Sequence, residues 1–241
     1  MINTLYISQP YFLGYAGYFH KILVSDLFVI LDDVQFVKGS FYNRNKIKNR
    51  EGVQWLTIPV KSKNHLNKTI GTTFISDRVQ WKHKFKKSLE LNYKKAKYFN
   101  EYKKDIFSLI DNDEFLLSNY VSKFLTYILR LLNREIEIVY SSSYDFKGKK
   151  SDRVLDICKY FKPKIYFSGV LTKDYLEVEH FEKEGVKVIF QDYKINEYGQ
   201  QFGSFIPYLS ILDILFNCGH VKMEEIIMKG NISKEDLLNE I

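Results

Sequence analysis

Between positions 9 and 46 the chain concentrates the side chains best suited to chemistry. His20 comes first, because an imidazole titrates nearest neutrality and works as a general base when a carboxylate orients it. Asp32 and Asp33 are placed to supply that carboxylate, which makes the three the candidate catalytic residues. Neighbours in an extended chain point to opposite faces, so only one of the two aspartates can enter a crevice. Such a pair at a strand end also suits a metal ion or a hydroxyl donor. Arg44 offers a planar fork for a phosphate or carboxylate, and Lys46 adds a point charge. The amides of Gln9, Gln35, Asn43 and Asn45, with the hydroxyls of Tyr11 and Ser168, complete the candidate substrate-binding set. The competing reading makes His20 a core histidine and the 43–46 cluster a solvated loop.

The elements that would position these groups alternate. Leu5–Ser8 reads as an apolar strand that runs into Gln9-Pro10-Tyr11, and Gly14–Leu23 as the helix that carries His20. Leu27–Leu31 reads as a strand buried on both faces, ending in Asp32-Asp33-Val34-Gln35-Phe36. A turn at Lys38-Gly39-Ser40 then leads to Asn43-Arg44-Asn45-Lys46. Two strands that each end in polar side chains on one edge are how a parallel sheet builds a site. Gln54–Val60 is a strand closed by Pro59, which suits an edge; a polar loop over Lys61–Lys68 and a short strand over Thr69–Ile75 follow.

Residues 77–132 change period. Asp77 opens a run with Val79, Trp81, Phe85, Leu89 and Tyr93 at helical spacing, and Asp111-Asn112-Asp113 introduces a second helix over Glu114–Leu132. Strands then return at Ile136–Tyr140, Lys164–Phe167 and Val186–Phe190, interleaved with helices over Ser151–Phe161 and Thr172–Phe181. An apolar helix over Leu209–Phe216, stopped by Gly219, and two short amphipathic helices complete the chain. The pattern predicts one α/β domain over 1–241 with a Rossmann-like, mostly parallel sheet. Its core is 1–76 with 133–208, 77–132 is a helical insertion, and 209–241 forms a C-terminal helical tail.

Composition narrows the class. With 45% hydrophobic and 27% charged residues, the chain can bury a sizeable core. No apolar run approaches the ~20 residues of a membrane span. Cys158 and Cys218 sit in apolar helical runs and read as buried free thiols, which with the lack of a leader-like N-terminus predicts a cytoplasmic protein. No GxGxxG follows the first strand, no GxxxxGK[ST] occurs, and no Cys/His set has zinc spacing, so neither cofactor nor metal is expected. The net charge of +7 is local: nine lysines between Lys82 and Lys104 face only Glu90 and Glu101. That segment is either a solvated helix face or a docking surface for a polyanion.

The blocks Gln9-Pro10-Tyr11, Gly17-Tyr18-Phe19-His20-Lys21, Leu31-Asp32-Asp33-Val34-Gln35-Phe36, Asn43-Arg44-Asn45-Lys46 and Trp55–Val60 occur in order, followed by Tyr166–Gly169, Asp174-Tyr175-Leu176 and Phe205–Asp213. Together they resemble the WbqC-like family over nearly the whole chain, with Ser8 where the family usually has a histidine before Gln-Pro. The resemblance implies work in bacterial O-antigen and related surface-polysaccharide synthesis. There the protein would transfer a small acyl or aminoacyl (glycyl-like) group to the amine of a nucleotide-linked amino sugar. The donor would be aminoacyl-tRNA, acyl-coenzyme A or an acyl carrier protein. In layout the opening unit also resembles pantothenate synthetase and related nucleotidylyl-transferring enzymes, whose paired-histidine motif is absent here. A third reading is a non-catalytic nucleotide-sugar-binding accessory protein.

Overall fold

A computed structural model describes residues 2–61, 68–76 and 80–240. Its centre is a five-stranded sheet of β1 (Thr4–Ser8), β2 (Leu27–Ile30), β5 (Glu137–Tyr140), β6 (Ile165–Gly169) and β7 (Lys187–Gln191). The strand order is β5-β2-β1-β6-β7, and every pairing is parallel. All residues of β1 and β2 are buried, as expected of central strands covered on both faces.

Strand alternation divides the core. Tyr6, Phe28 and Ile30 face one layer, packed with α1 (Ala16–Val24), α2 (Gln80–Tyr93), α3 (Phe99–Asp111), α4 (Leu117–Leu131) and α7 (Ile211–Met228). Leu5, Ile7, Leu27 and Val29 face the other, against α5 (Ser151–Phe161) and α6 (Val178–Lys183). A last short helix, α8 (Lys234–Leu238), adds Leu237 to a small third cluster with Val24, Ile165 and Phe167. The α/β Rossmann-like reading is therefore correct. Gly219 interrupts α7 with φ 78°, a conformation that suits glycine, so the expected stop becomes a kink within a longer element.

Two expectations need correction, and one competing reading falls. Asn43–Lys46 is not the solvated loop of that reading: it leads into β3 (Arg44–Asn49), which pairs antiparallel with β4 (Gly52–Thr57) in a hairpin outside the main sheet. Thr69–Ile75 forms no strand, only the isolated bridges Gln35↔Thr69, Val60↔Ile75 and Phe74↔Leu116. The helix expected over Thr172–Phe181 is split, because a 3-10 turn over Val170–Asp174 precedes α6. The expected helix start at Asp77 and Val79, and most of the Lys61–Lys68 loop, lie outside the described residues.

Topology places the site. From β1 the chain moves to β2 and β5 on one side, then crosses to β6 and β7 on the other, so the direction of winding reverses between β1 and β6. Those two strands pair only at Thr4↔Ile165 and Leu5↔Tyr166, whereas β1 and β2 stay paired through Ser8↔Ile30. Beyond Leu5 the carboxyl ends of β1 and β6 are no longer laced together. Open α/β sheets bind ligands in just such a crevice.

Candidate functional site

The crevice is a cavity of about 550 Å³ at the carboxyl ends of β1, β6 and β7. Ser8 and Gln9 line it from β1, Gly169 and Thr172 from the end of β6, and Gln191 and Tyr193 from the end of β7. Lys21 enters from α1, and Asn45 and Lys46 from β3. Aromatic rings form much of the wall: Tyr6, Tyr11, Tyr15, Phe41, Tyr166, Tyr175 and Tyr208. Tyr208 holds φ 56°, uncommon for a residue with a side chain, and sets its ring edge-on to Tyr15 at 5.7 Å. Burial pushes the Tyr11 phenol up to about 12 and that of Tyr166 higher still, so the wall is neutral and hydrogen-bonding at physiological pH.

Lys21 is the group that stands out. Its side chain is 5% exposed, and it makes no ion pair among the described residues. Nζ donates to Gly17 O at 3.0 Å and to Gln191 Oε1 at 2.7 Å, and lies 5.3 Å from the ring centroid of Tyr6. Burial brings its pKa down from 10.5 to about 7. In the neutral amine both hydrogens are engaged by those two acceptors, which leaves the lone pair as the one uncommitted position on nitrogen.

His20 sits behind this group. It is fully buried; Nε2 donates to Ile232 O at 2.9 Å, and Nδ1 accepts from Gln191 Nε2 at 2.9 Å. Gln191 Nε2 also donates to Gly17 O at 3.0 Å, so the amide is held at both ends. Burial lowers the imidazole pKa to about 4 and keeps it neutral. The expected pairing of His20 with Asp32 or Asp33 is not formed, because His20 turns to β7 and the C-terminal segment while the aspartates turn to β5.

Asp32 accepts from Ser142 N at 3.0 Å and Ser142 Oγ at 2.7 Å. Asp33 accepts from Ser141 Oγ at 2.5 Å and pairs with Arg153 of α5. Both carboxylates tie the end of β2 to the turn after β5, and neither lines the cavity.

The remaining expected ligands divide. Gln9, Tyr11, Asn45 and Lys46 line the cavity; Gln35, Asn43, Arg44 and Ser168 do not. Gln9 makes no hydrogen bond among the described residues and is the free amide of the set. Strand alternation explains the hairpin residues: Asn43 and Asn45 point inward, Arg44 and Lys46 outward. Asn43 Nδ2 donates to Ile58 O at 2.7 Å, and Asn45 Nδ2 to Phe12 O at 3.0 Å and Leu13 O at 2.7 Å. The Arg44 guanidinium stacks 4.2 Å from the Trp55 ring, with Lys46 Nζ 5.2 Å from the same ring. Ser168 lies behind the wall, its hydroxyl bonded to Tyr166 at 2.9 Å and Thr172 at 2.7 Å.

Lys21 and Gln191 are the site residues that sequence reasoning passed over. A lysine within a helix reads as solvent-facing, and only its mostly apolar neighbours Tyr18, Phe19, Ile22, Leu23 and Val24 hinted otherwise.

Fold and site together define a Rossmann-like α/β protein whose cavity opens at the switch point of its sheet, with a buried amine and an aromatic wall. The chain belongs to the WbqC-like protein family, whose signature matches residues 9–225. It is 32% identical over 215 residues to an uncharacterized protein of Mycobacterium tuberculosis, covering 88% of this chain and 93% of that protein. No solved structure matches the chain. Among the described residues no helix is long and apolar enough to cross a membrane, and no group of His, Cys, Asp and Glu has the geometry to hold a metal ion.

Proposed function

We propose that the crevice binds a nucleotide-linked amino sugar and that the protein transfers a small acyl or aminoacyl group to the sugar amine. The observation that carries this reading is the buried amine of Lys21, in no ion pair among the described residues, opening on an aromatic cavity. Attack by a sugar amine needs a base near neutral pKa, and Lys21 meets that need better than His20, whose ring nitrogens are both engaged. The sugar nitrogen forms a bond to the acyl carbon, and the bond from that carbon to the donor's sulfur or oxygen breaks. Lys21 accepts the proton lost by the nitrogen and returns it to the leaving thiolate or alkoxide.

The tyrosine rings and Phe41 provide flat surfaces for the base and sugar, Gln9 a free amide, and Lys46 a charge for the diphosphate at the mouth. The direct test incubates the protein with nucleotide-linked amino sugars and, in turn, acyl-coenzyme A and aminoacyl-tRNA, and reads the mass of the sugar product. A mass gain equal to the acyl group supports the transfer. Binding without any mass gain would make the protein an accessory binder, and release of pyrophosphate from ATP would favour nucleotidylyl transfer instead.

A further inference from the structure

A second cavity, of about 370 Å³, lies where the β3–β4 turn meets the end of α2, and it shares no lining residue with the crevice. Arg50 reaches it from the turn, and Lys94 and Lys95 from the residues just after α2, against the single carboxylate of Glu51. All three cations are exposed, and none forms an ion pair among the described residues. Its walls are built in advance. The buried Lys48 donates to Gln200 Oε1, Gly203 O and Ser204 O, and so pins the loop that presents Phe202, itself held at φ 62°. Gln54 donates to Ser88 Oγ at 3.1 Å and accepts from Asn92 at 2.9 Å, which fixes that pair of amides beside the cations.

The lysines of the basic segment are not equivalent. Lys82 is capped by Asn112 O at 2.6 Å, Lys86 pairs with Asp111 at 2.6 Å, and Lys103 pairs with Glu90 at 2.5 Å. Lys84, Lys87 and Leu91 follow one another at three- and four-residue spacing, so they share one exposed face of α2, and the exposed Lys94 and Lys95 continue from its end. That row, without an ion pair among the described residues, runs roughly 15 Å at the helical rise and ends at the cavity. There Leu91, 68% exposed, and the Phe202 ring offer an apolar surface.

We propose that the row and the cavity form a second site, for single-stranded nucleic acid: phosphates follow the lysines, and one unpaired base enters against Phe202. A positive track that ends at an aromatic surface is the physical requirement for such binding. A duplex could reach the lysines but could not put a base into the cavity.

The test is fluorescence anisotropy with labelled single-stranded RNA and DNA of one sequence, and with the corresponding duplex, at low and moderate salt. Single strands should bind more tightly than duplex, with affinity falling steeply as salt rises. Combined Arg50→Glu, Lys94→Glu and Lys95→Glu should weaken binding at least ~30-fold. Combined Lys149→Glu, Lys164→Glu and Lys183→Glu, with the same change of charge elsewhere, should weaken it less than about threefold. Phe202→Ala should cost roughly tenfold for single strands and nothing for duplex. Circular dichroism checks that each variant is folded. Equal losses from the two triple variants would overturn the proposal and leave only net charge at work. Duplex bound as tightly as single strand, with Phe202→Ala neutral, would also overturn it.

Discussion

Lys21 Nζ lies 2.7 Å from Gln191 Oε1, a contact that joins α1 to the end of β7 across 170 residues of chain. The same Gln191 amide donates to His20 Nδ1 at 2.9 Å, so a neutral histidine sets the face that the glutamine turns to the lysine. An amide in that place solvates the ammonium only in part, where a carboxylate would hold the charge on it.

Gln191→Glu tests that arrangement. A carboxylate there should raise the Lys21 pKa from about 7 by one unit or more and leave it protonated at neutral pH. The midpoint for modification of Lys21 by an amine-selective reagent, followed by mass spectrometry against pH, should move up accordingly. An unchanged midpoint would mean that Gln191 does not govern the lysine.

His20 should show in stability, not as a base. Its pKa falls from 6.5 in the unfolded chain to about 4 in the fold. As pH drops below 6.5 the unfolded chain takes up the proton first, so stability is lost between 6.5 and about 4 and not further below. The loss is on the order of 3 kcal/mol across that window. His20→Gln should flatten this part of the curve in urea unfolding. A wild-type curve already flat there would contradict the buried neutral ring. Lys21 acts in a separate window, since its depressed pKa makes stability rise as pH climbs from about 7 toward 10.5.

The aspartates should prove to be fasteners. Asp32→Ala removes the acceptor for Ser142 N and Ser142 Oγ and should cost about 1–3 kcal/mol in urea unfolding. Ligand affinity at the crevice, read by calorimetry, should stay within about twofold in the same variant. A large loss of affinity with unchanged stability would restore Asp32 to the site.

Asn45 holds the carbonyls of Phe12 and Leu13, the latter residue at φ 49°. Asn45→Ala should therefore destabilise by about 1–3 kcal/mol, since Phe12 O loses its donor and Leu13 O keeps only the longer bond from Ile211 N at 3.4 Å. A urea midpoint equal to wild type would show that the turn after β1 stands without it.

The sheet was legible because its strands are short apolar runs separated by helical periods, and such runs admit few arrangements other than a parallel sheet. That Gln9 and Tyr11 line the crevice was legible because they follow directly from a central strand. What sequence could not supply was strand order. Asp32-Asp33 looked adjacent to His20, but β2 lies on the β5 side of β1, and the crevice opens on the β6 side. Nor could it show that β3 would place Asn43 and Asn45 inward and spend their amides on backbone carbonyls. Lys21 was hidden for a related reason: its burial depends on Gln191, which only the closed sheet brings near.

The most direct test of the account is acyl transfer by Lys21→Met, which keeps the length and bulk of the side chain but has no amine. The variant should fold, bind a nucleotide-linked amino sugar well enough to raise its stability by ~2.7 kcal/mol at a hundredfold excess over Kd, and turn over at least ~100-fold more slowly than wild type. Turnover equal to wild type, with the same pH profile, would contradict the assignment of Lys21 as the base.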